Sequence, residues 1–313
     1  MNPQDIYTKT KAVYIDQHKQ YLIDRDLFHR FYSYAVNPSS YDLKPADFKD
    51  KVVLDAGCGN SAYFQKAMHD LGAQKIECLD IGSEWISPLK EGLIENQLDL
   101  NRFGFSSGST TQIPFPDNTF DFVASNGVIM HLPSVEEATK AVNELYRVTK
   151  PGGNLYIYFG VDKPGIVDSY IVPALRSAYR EDGSFRNLID SATPEVIQAM
   201  LRPIVEAFEK NDPLYPAGIL DSFTQLITLD TTTFLKNMLQ VPVQQGNDLD
   251  WDFASTVLQK LGAREIRRCP QHYFARKDVR RFLTPFHVTG DCSEISKVLY
   301  GGGHLKVTCK KPE

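Results

Sequence analysis

Between positions 50 and 160 the chain alternates short apolar runs with longer stretches whose apolar residues recur every three or four positions. Val52 to Leu54, KIECLD (75–80), a short stretch around Phe103 and Phe105, TFDFVASNGV (119–128) and NLYIYF (154–159) have the length and composition of buried strands. Between them, Ala62 to Leu71, Glu84 to Leu98 and the stretch after Ser134 read as helices. In the last, Ala138, Ala141, Val142, Leu145 and Val148 form one apolar stripe, Ser134 and Glu137 form a capping box, and Pro151-Gly152-Gly153 ends the helix. Strands alternating with helices predict an α/β fold built on a parallel sheet.

The alternation stops near 160. About ninety residues pass before WDFASTVLQKLGA (251–263), a helix stopped by Gly262 that leads into strand-like AREIRRC, and HLKVTCKK supplies a final strand after FARKDVRRFL and the glycines at 301–303. A connection this long must fold on its own. Its pieces VDSYIVPALRSAY, PEVIQAMLRPIVEAFEK and LDTTTFLKNML predict a mostly helical insertion. The expected organisation is an N-terminal helical cap over 1–49, a core over 50–160, a helical insertion over 161–250 and a C-terminal completion of the sheet over 251–313.

With 42% hydrophobic and 23% charged residues, the 313-residue chain has material for one large α/β domain with an addition. No run approaches the ~20 apolar residues of a membrane span. MNPQDIYTKTK lacks a basic-then-apolar leader, so a cytoplasmic protein with no membrane partner is expected. Five cysteines (58, 78, 269, 292, 309), with no C-x-x-C pair, argue for a reducing compartment and against a disulfide framework or a zinc site. The net charge of −5 argues against nucleic acid as a partner, although it is unevenly spread: 161–250 carries −6 and 262–313 carries +6. Self-association as a homodimer is left open.

The chemistry starts at VVLDAGCGNSAYF (52–64), where Gly57 and Gly59 allow a tight turn between a strand and a helix. Such a unit opens dinucleotide-binding folds, but their third glycine is Ala62 here, and Asp55 at the strand end would repel a pyrophosphate. A ligand carrying ammonium and sulfonium charges and no phosphate, such as S-adenosylmethionine, is attracted instead. Asp80, at the end of the second strand, is placed to accept hydrogen bonds from the hydroxyls of an unphosphorylated ribose.

VVLDAGCGNS, CLDIGSEWI, STTQIPFPDNTFDFVASNGVIMHL and ELYRVTKPGGNLYIYF, in this order and spacing, resemble the class I S-adenosylmethionine-dependent methyltransferases, particularly their small-molecule branch. The resemblance covers about 110 residues. It implies a Rossmann-like seven-stranded methyltransferase sheet, parallel except for its final strand, with S-adenosyl-L-methionine as cofactor and S-adenosyl-L-homocysteine as product. Asp55, Ala56, Gly57, Cys58 and Gly59 would wrap the methionine and ribose. Asp80 would bind the ribose, Ile81 the adenine face, and Ser109 and Thr110 would stand where the family often has an adenine-binding aspartate. Asn126 and Gly127 would lie near the reactive methyl, and Ser61 replaces the third glycine of the family's G-x-G-x-G. Where N-P-P-Y marks amine and amide methylation of adenine and glutamine, this chain reads SNGV.

For an acceptor that must lose a proton, His131 is the candidate base, the alternative being a histidine that braces its loop. Tyr63 either covers the cofactor carboxylate or packs on the first helix. Tyr7, Tyr14, His18, Tyr21, Phe28, His29, Phe31 and Tyr32 lie on expected N-terminal helices, where an aromatic reaches the cofactor or simply fills the core. Tyr170, Arg176, Tyr179, Arg180 and Arg202 are candidates for an acceptor pocket or for solvated helix faces. The expected activity is methyl transfer to oxygen or nitrogen of a small metabolite, because a long insertion suits an enclosed small acceptor. A sulfur or carbon acceptor, an RNA or protein acceptor using the basic tail, and a non-catalytic cofactor-binding subunit are the rivals.

Overall fold

The computed structural model describes residues 3–23, 25–36, 44–162, 165–166, 169–170, 172–193, 196, 199, 239–240, 248–269 and 304–313. Helices α1 (Pro3–Ile23), α2 (Arg25–Val36) and α3 (Pro45–Phe48) precede the sheet. There follow β1 (Val52–Ala56), α4 (Tyr63–Asp70), β2 (Lys75–Asp80), α5 (Ile86–Glu95), β3 (Phe103–Ser107), β4 (Phe120–Ser125), α6 (Val135–Val148) and β5 (Thr149–Val161). Helices α7 (Val172–Glu181) and α8 (Gly183–Ser191) come next, then α9 (Trp251–Lys260), β6 (Arg264–Arg268) and β7 (His304–Lys310).

The strands form one seven-stranded sheet in the order β3-β2-β1-β4-β5-β7-β6. Neighbours pair in parallel except β7, which runs antiparallel to both β5 and β6. The parallel part follows the strand and helix alternation, and the seven strands with an inverted final one are the Rossmann-like sheet that the family resemblance implies. The order reverses between β1 and β4, so their carboxyl ends open a crevice at the switch point.

Each sheet face carries its own core. Phe28, Phe48, Phe64, Met68, Trp85, Leu89, Phe122 and Tyr156 pack on the face of α2, α4 and α5. Leu54, Val123, Leu155, Ile157 and Val307 meet the stripe of α6 on the other, with Ala254 and Leu258 of α9. All five stripe residues of α6 are fully buried, and Ser134 Oγ accepts the Glu137 N–H as its cap.

Two boundaries differ from the expectation. α6 stops at Val148, and β5 starts at Thr149, running through Pro151-Gly152-Gly153 rather than after them. Thr149 pairs with Phe120 across a bulge, and a Cβ at Gly153 would meet Asp121 O at 2.9 Å, so a residue without a side chain lets the strand pass. α5 spans Ile86–Glu95, shorter at both ends than the apolar spacing predicts. The chain divides into two compact units, Met1–Pro164 with Pro242–His272 and Gly302–Glu313, and Gly165–Val241 with Tyr273–Gly301. In the second, α7 and α8 are joined through Asp182, whose side chain accepts the Ser184 and Phe185 N–H groups. PEVIQAMLRPIVEAFEK, LDTTTFLKNML and FARKDVRRFL lie almost entirely outside the described residues, as does Arg202.

Candidate cofactor and active site

β1 delivers Asp55 and Ala56 to the crevice, and the chain then turns through Gly57 (φ +86°), Gly59 (φ +55°) and Ala62 (φ +62°) into α4. The turn is held by the Gly57 and Cys58 N–H groups, both donating to Leu79 O at 2.7 and 3.1 Å. A Cβ on Gly57 would stand 2.1 Å from Val128 Cγ2, and one on Gly59 would stand 2.7 Å from His18 Nδ1. Only bare backbone fits. Cys58 is buried against Cys78, and burial keeps its thiol well above its ordinary pKa, so it fills space rather than reacting.

Asp55 is fully buried, and Gln65 Nε2 donates to its Oδ2 at 2.6 Å and to Cys58 O at 2.9 Å. Burial pushes the Asp55 carboxyl up to about 8, against the pull of Gln65, and the Asp80 carboxylate adds to the rise. Asp80 accepts the Gly59 N–H on Oδ2 and the Ile81 N–H on Oδ1, each at 2.7 Å. Burial raises its pKa too, while the two N–H donors and the Lys11 ammonium pull it back. Each Asp80 oxygen keeps a lone pair for another donor.

After β3, Gly108 N–H donates to Asp80 O, Ser109 Oγ lies 2.8 Å from Thr111 Oγ1, and Thr110 is buried. After β4, Asn126 Nδ2 donates to Tyr63 Oη and Asn126 Oδ1 accepts from Tyr156 Oη, both at 3.2 Å. Tyr63 also packs on Phe31 of α2, ring centroids 5.4 Å apart. Gly127 follows with φ +79°. Buried His131 closes the next turn, its Nε2 lying 2.6 Å from Tyr14 Oη.

That contact belongs to a row along α1. Tyr7, Lys11, Tyr14 and His18, spaced four, three and four, share one helix face. Tyr7 lies near Thr111 and Glu137, Lys11 pairs with Glu84 at 2.8 Å, and His18 lies against Gly59 and near Asn60. Burial lowers His18 to about 4, the Asn60 contact offsetting part of the effect, so it is neutral at neutral pH. The helix therefore touches the loops after β1, β2, β3 and β4 in turn. Gln65, Lys11, Glu84 and Thr111 were not singled out from the sequence. Gln65 left one trace, a polar residue among Phe64, Ala67 and Met68 on the buried side of α4.

Asp55, Ala56, Gly57, Cys58, Gly59, Asp80, Ile81, Ser109, Thr110, Asn126, Gly127, Tyr63 and His131 thus all sit on the carboxyl ends of the strands or on the elements just after them. In the second unit, Tyr179 Oη donates to Asp190 at 2.6 Å and Tyr170 is 72% exposed. Among the described residues no group of three acidic, histidine or cysteine side chains could hold a metal, and no helix is long and apolar enough to cross a membrane.

A glycine turn follows the buried carboxylate of Asp55, and Asp80 sets a second carboxylate at the end of the neighbouring strand, as in nucleoside-binding α/β folds. Residues 54–157 match the model of the methyltransferase domain family. The chain is 37% identical over 122 residues to an uncharacterized methyltransferase of Schizosaccharomyces pombe, covering 37% of this chain and 41% of that protein. It is 31% identical over 104 residues to a demethylmenaquinone methyltransferase of Listeria monocytogenes, covering 33% and 42%. Its fold matches a chain from the complex between the Haloferax volcanii methyltransferase activator Trm112 and a methyltransferase, with a TM-score of 0.50 at 12% identity over 97% of this chain and 98% of that one. Over residues 54–157 the chain carries a class I S-adenosylmethionine-dependent methyltransferase domain. It spans about two-fifths of the length of the curated relatives it matches.

The residues present suit that cofactor: two carboxylates at adjacent strand ends favour ammonium and hydroxyl donors over phosphate.

Proposed function

We propose that this chain methylates an oxygen or nitrogen of a small metabolite, with His131 taking the acceptor's proton. The observation that carries the reading is the 2.6 Å contact of Tyr14 Oη with His131 Nε2, beneath α1 and one turn beyond Asn126 and Gly127. When bound, S-adenosylmethionine supplies an electrophilic methyl group on sulfur.

The chain's own residues do the rest. Asp80 would hold the ribose hydroxyls, Asp55 would face the ammonium, Ile81 the adenine, and Ser109 and Thr110 would border its amino edge. Asn126, clamped between Tyr63 and Tyr156, fixes the β4 loop so that an acceptor can stand about 3 Å from the methyl carbon. In the tautomer whose Nε2–H donates to Tyr14 Oη, the Nδ1 lone pair of His131 receives the proton released as the acceptor forms its new bond. The α1 row covers the strand ends and keeps water out.

Calorimetric titration with S-adenosylmethionine and S-adenosylhomocysteine tests the cofactor assignment: micromolar binding, lost in Asp80→Ala, is expected. Transfer of labelled methyl to panels of acids and amines then reads the base. His131→Ala should lower turnover about 100-fold with unchanged S-adenosylhomocysteine affinity. Near-normal turnover in that variant would point to a sulfur or carbon acceptor and remove the base role.

A further inference from the structure

On the α2-facing side of the sheet, a polar row runs from the β4 loop across β5 to β7 and β6. Tyr156 and Tyr158 stand two apart on β5, directly opposite Thr308 and Lys306 of β7. Residues so paired share a face. Thr308 is paired in turn with Arg267 of β6, and Cys269 N–H donates to Lys306 O at 2.8 Å. The row begins at the cofactor crevice: Tyr156 Oη donates to Asn126 Oδ1, and the atom nearest a Cβ built on Gly127 is Tyr158 Cδ1, at 3.9 Å. Lys306 Nζ lies 5.6 Å from the Tyr158 ring centroid, on the β7 side of that ring.

Two features of this row suit a bound ligand more than a packed core. The Thr308 hydroxyl is buried and has no hydrogen-bond partner among the described residues, although Val307 and Cys309 beside it face the opposite core as ordinary apolar residues. The sheet face also sets Lys306 two residues along β7 from that hydroxyl and Arg267 beside it on β6, with Tyr156 and Tyr158 on the β5 side. Burial lowers Lys306 to about 8, which leaves most of it charged at neutral pH while weakening its hold on water. A cation so desolvated binds an anionic oxygen more strongly than an exposed one.

We infer that the methyl acceptor carries a carboxylate or phosphate, received by Lys306 and Thr308 with Arg267 at the outer edge, while its reacting atom lies across Tyr158 beside Asn126 and Gly127. This rests on the methyltransferase reading of the crevice and names the class of its acceptor. One tyrosine ring separates the anion site from the β4 loop, which sets the size of the acceptor: a small molecule with its anion a few bonds from the methylated atom.

The test uses the full chain loaded with S-adenosylhomocysteine and titrated calorimetrically with benzoate, phenyl phosphate and benzyl alcohol. At least one anion is expected to bind tenfold or more tightly than benzyl alcohol, and the tighter of the two identifies the group. Lys306→Met should weaken that anion at least tenfold and Lys306→Arg should keep most of it, with S-adenosylhomocysteine affinity unchanged in both. Arg267→Gln, on the exposed edge strand, should weaken the same probe several-fold and serves if Lys306→Met does not fold. Equal binding of benzyl alcohol, an anion preference that survives these substitutions, or no anion binding up to tens of millimolar would overturn the inference. Failure to bind S-adenosylhomocysteine at all is a different result, and it removes the cofactor reading instead.

Discussion

Asp55 shows how burial converts a side chain into a sensor of its own ligand. Its carboxyl, pushed to about 8, binds a proton more tightly in the folded chain than in the unfolded one. Its contribution to stability is therefore complete below about pH 4 and is lost as the pH rises through about 8. Asp55→Asn keeps the shape and removes the titration. Thermal denaturation of the ligand-free protein should show the wild type losing stability relative to this variant between pH 4 and 8. Cofactor binding should run the other way, because an ammonium opposite Asp55 favours the charged form. S-adenosylmethionine affinity is expected to rise from pH 6 to 8 in the wild type, with proton release seen by calorimetry in buffers of different ionisation enthalpy, and to stay flat in Asp55→Asn. The carboxylate itself was legible, since an apolar run ending in Asp before a glycine marks where a strand leaves the sheet. Its partner Gln65 was not, because ten residues separate the two and only the docking of α4 brings them together. The Tyr14–His131 contact, 117 positions apart, is still further from any local pattern.

At the scale of elements, the turn after β1 and the loop after β4 use glycine for different reasons. Both Gly57 and Gly127 have positive φ, but a Cβ at Gly57 collides with Val128, whereas one at Gly127 meets nothing closer than 3.9 Å. Gly127→Ala should cost about 1 kcal/mol from backbone strain alone, and Gly57→Ala about 2–4 kcal/mol, with strain and overpacking added. Denaturant titration of the two variants measures the difference, and equal losses would contradict it. The glycines were legible as turn formers; which of them a neighbour crowds depends on Val128, seventy-one positions away. Helix α6 was the most legible element, because its stripe and its cap are local. Its far end was misread because Lys311, from the last residues of the chain, caps it: Nζ donates to Tyr146 O at 3.0 Å and to Thr149 O at 2.8 Å. With those carbonyls satisfied from outside, the backbone is free to enter β5 at Thr149.

Across the whole molecule, Asp162 ties together segments that the chain order keeps apart. It is fully buried at the end of β5; one oxygen accepts the Trp251 N–H at the start of α9 at 3.2 Å, and the other pairs with Arg268 Nη1 of β6 at 2.5 Å. The Arg268 guanidinium also lies 4.7 Å from the Trp251 ring centroid. Asp162→Asn should cost about 1–3 kcal/mol, read as a lower denaturation midpoint with an unchanged slope, because an ion pair is lost at a buried position. By itself, the sequence determined the strand and helix alternation over 50–160 and the carboxylates and glycines of the crevice. These follow from periodicity and turn chemistry, which act over a few residues and are written locally. Only the tertiary structure decided that α1 lays Tyr7, Lys11, Tyr14 and His18 over four loops, that Asp162 meets Arg268, and that Lys306, Thr308 and Arg267 share a face with Tyr156 and Tyr158. Such contacts are set by helix docking and by the order and register of strands paired across as many as 156 positions, and burial then sets the charge states that no position in the chain carries alone.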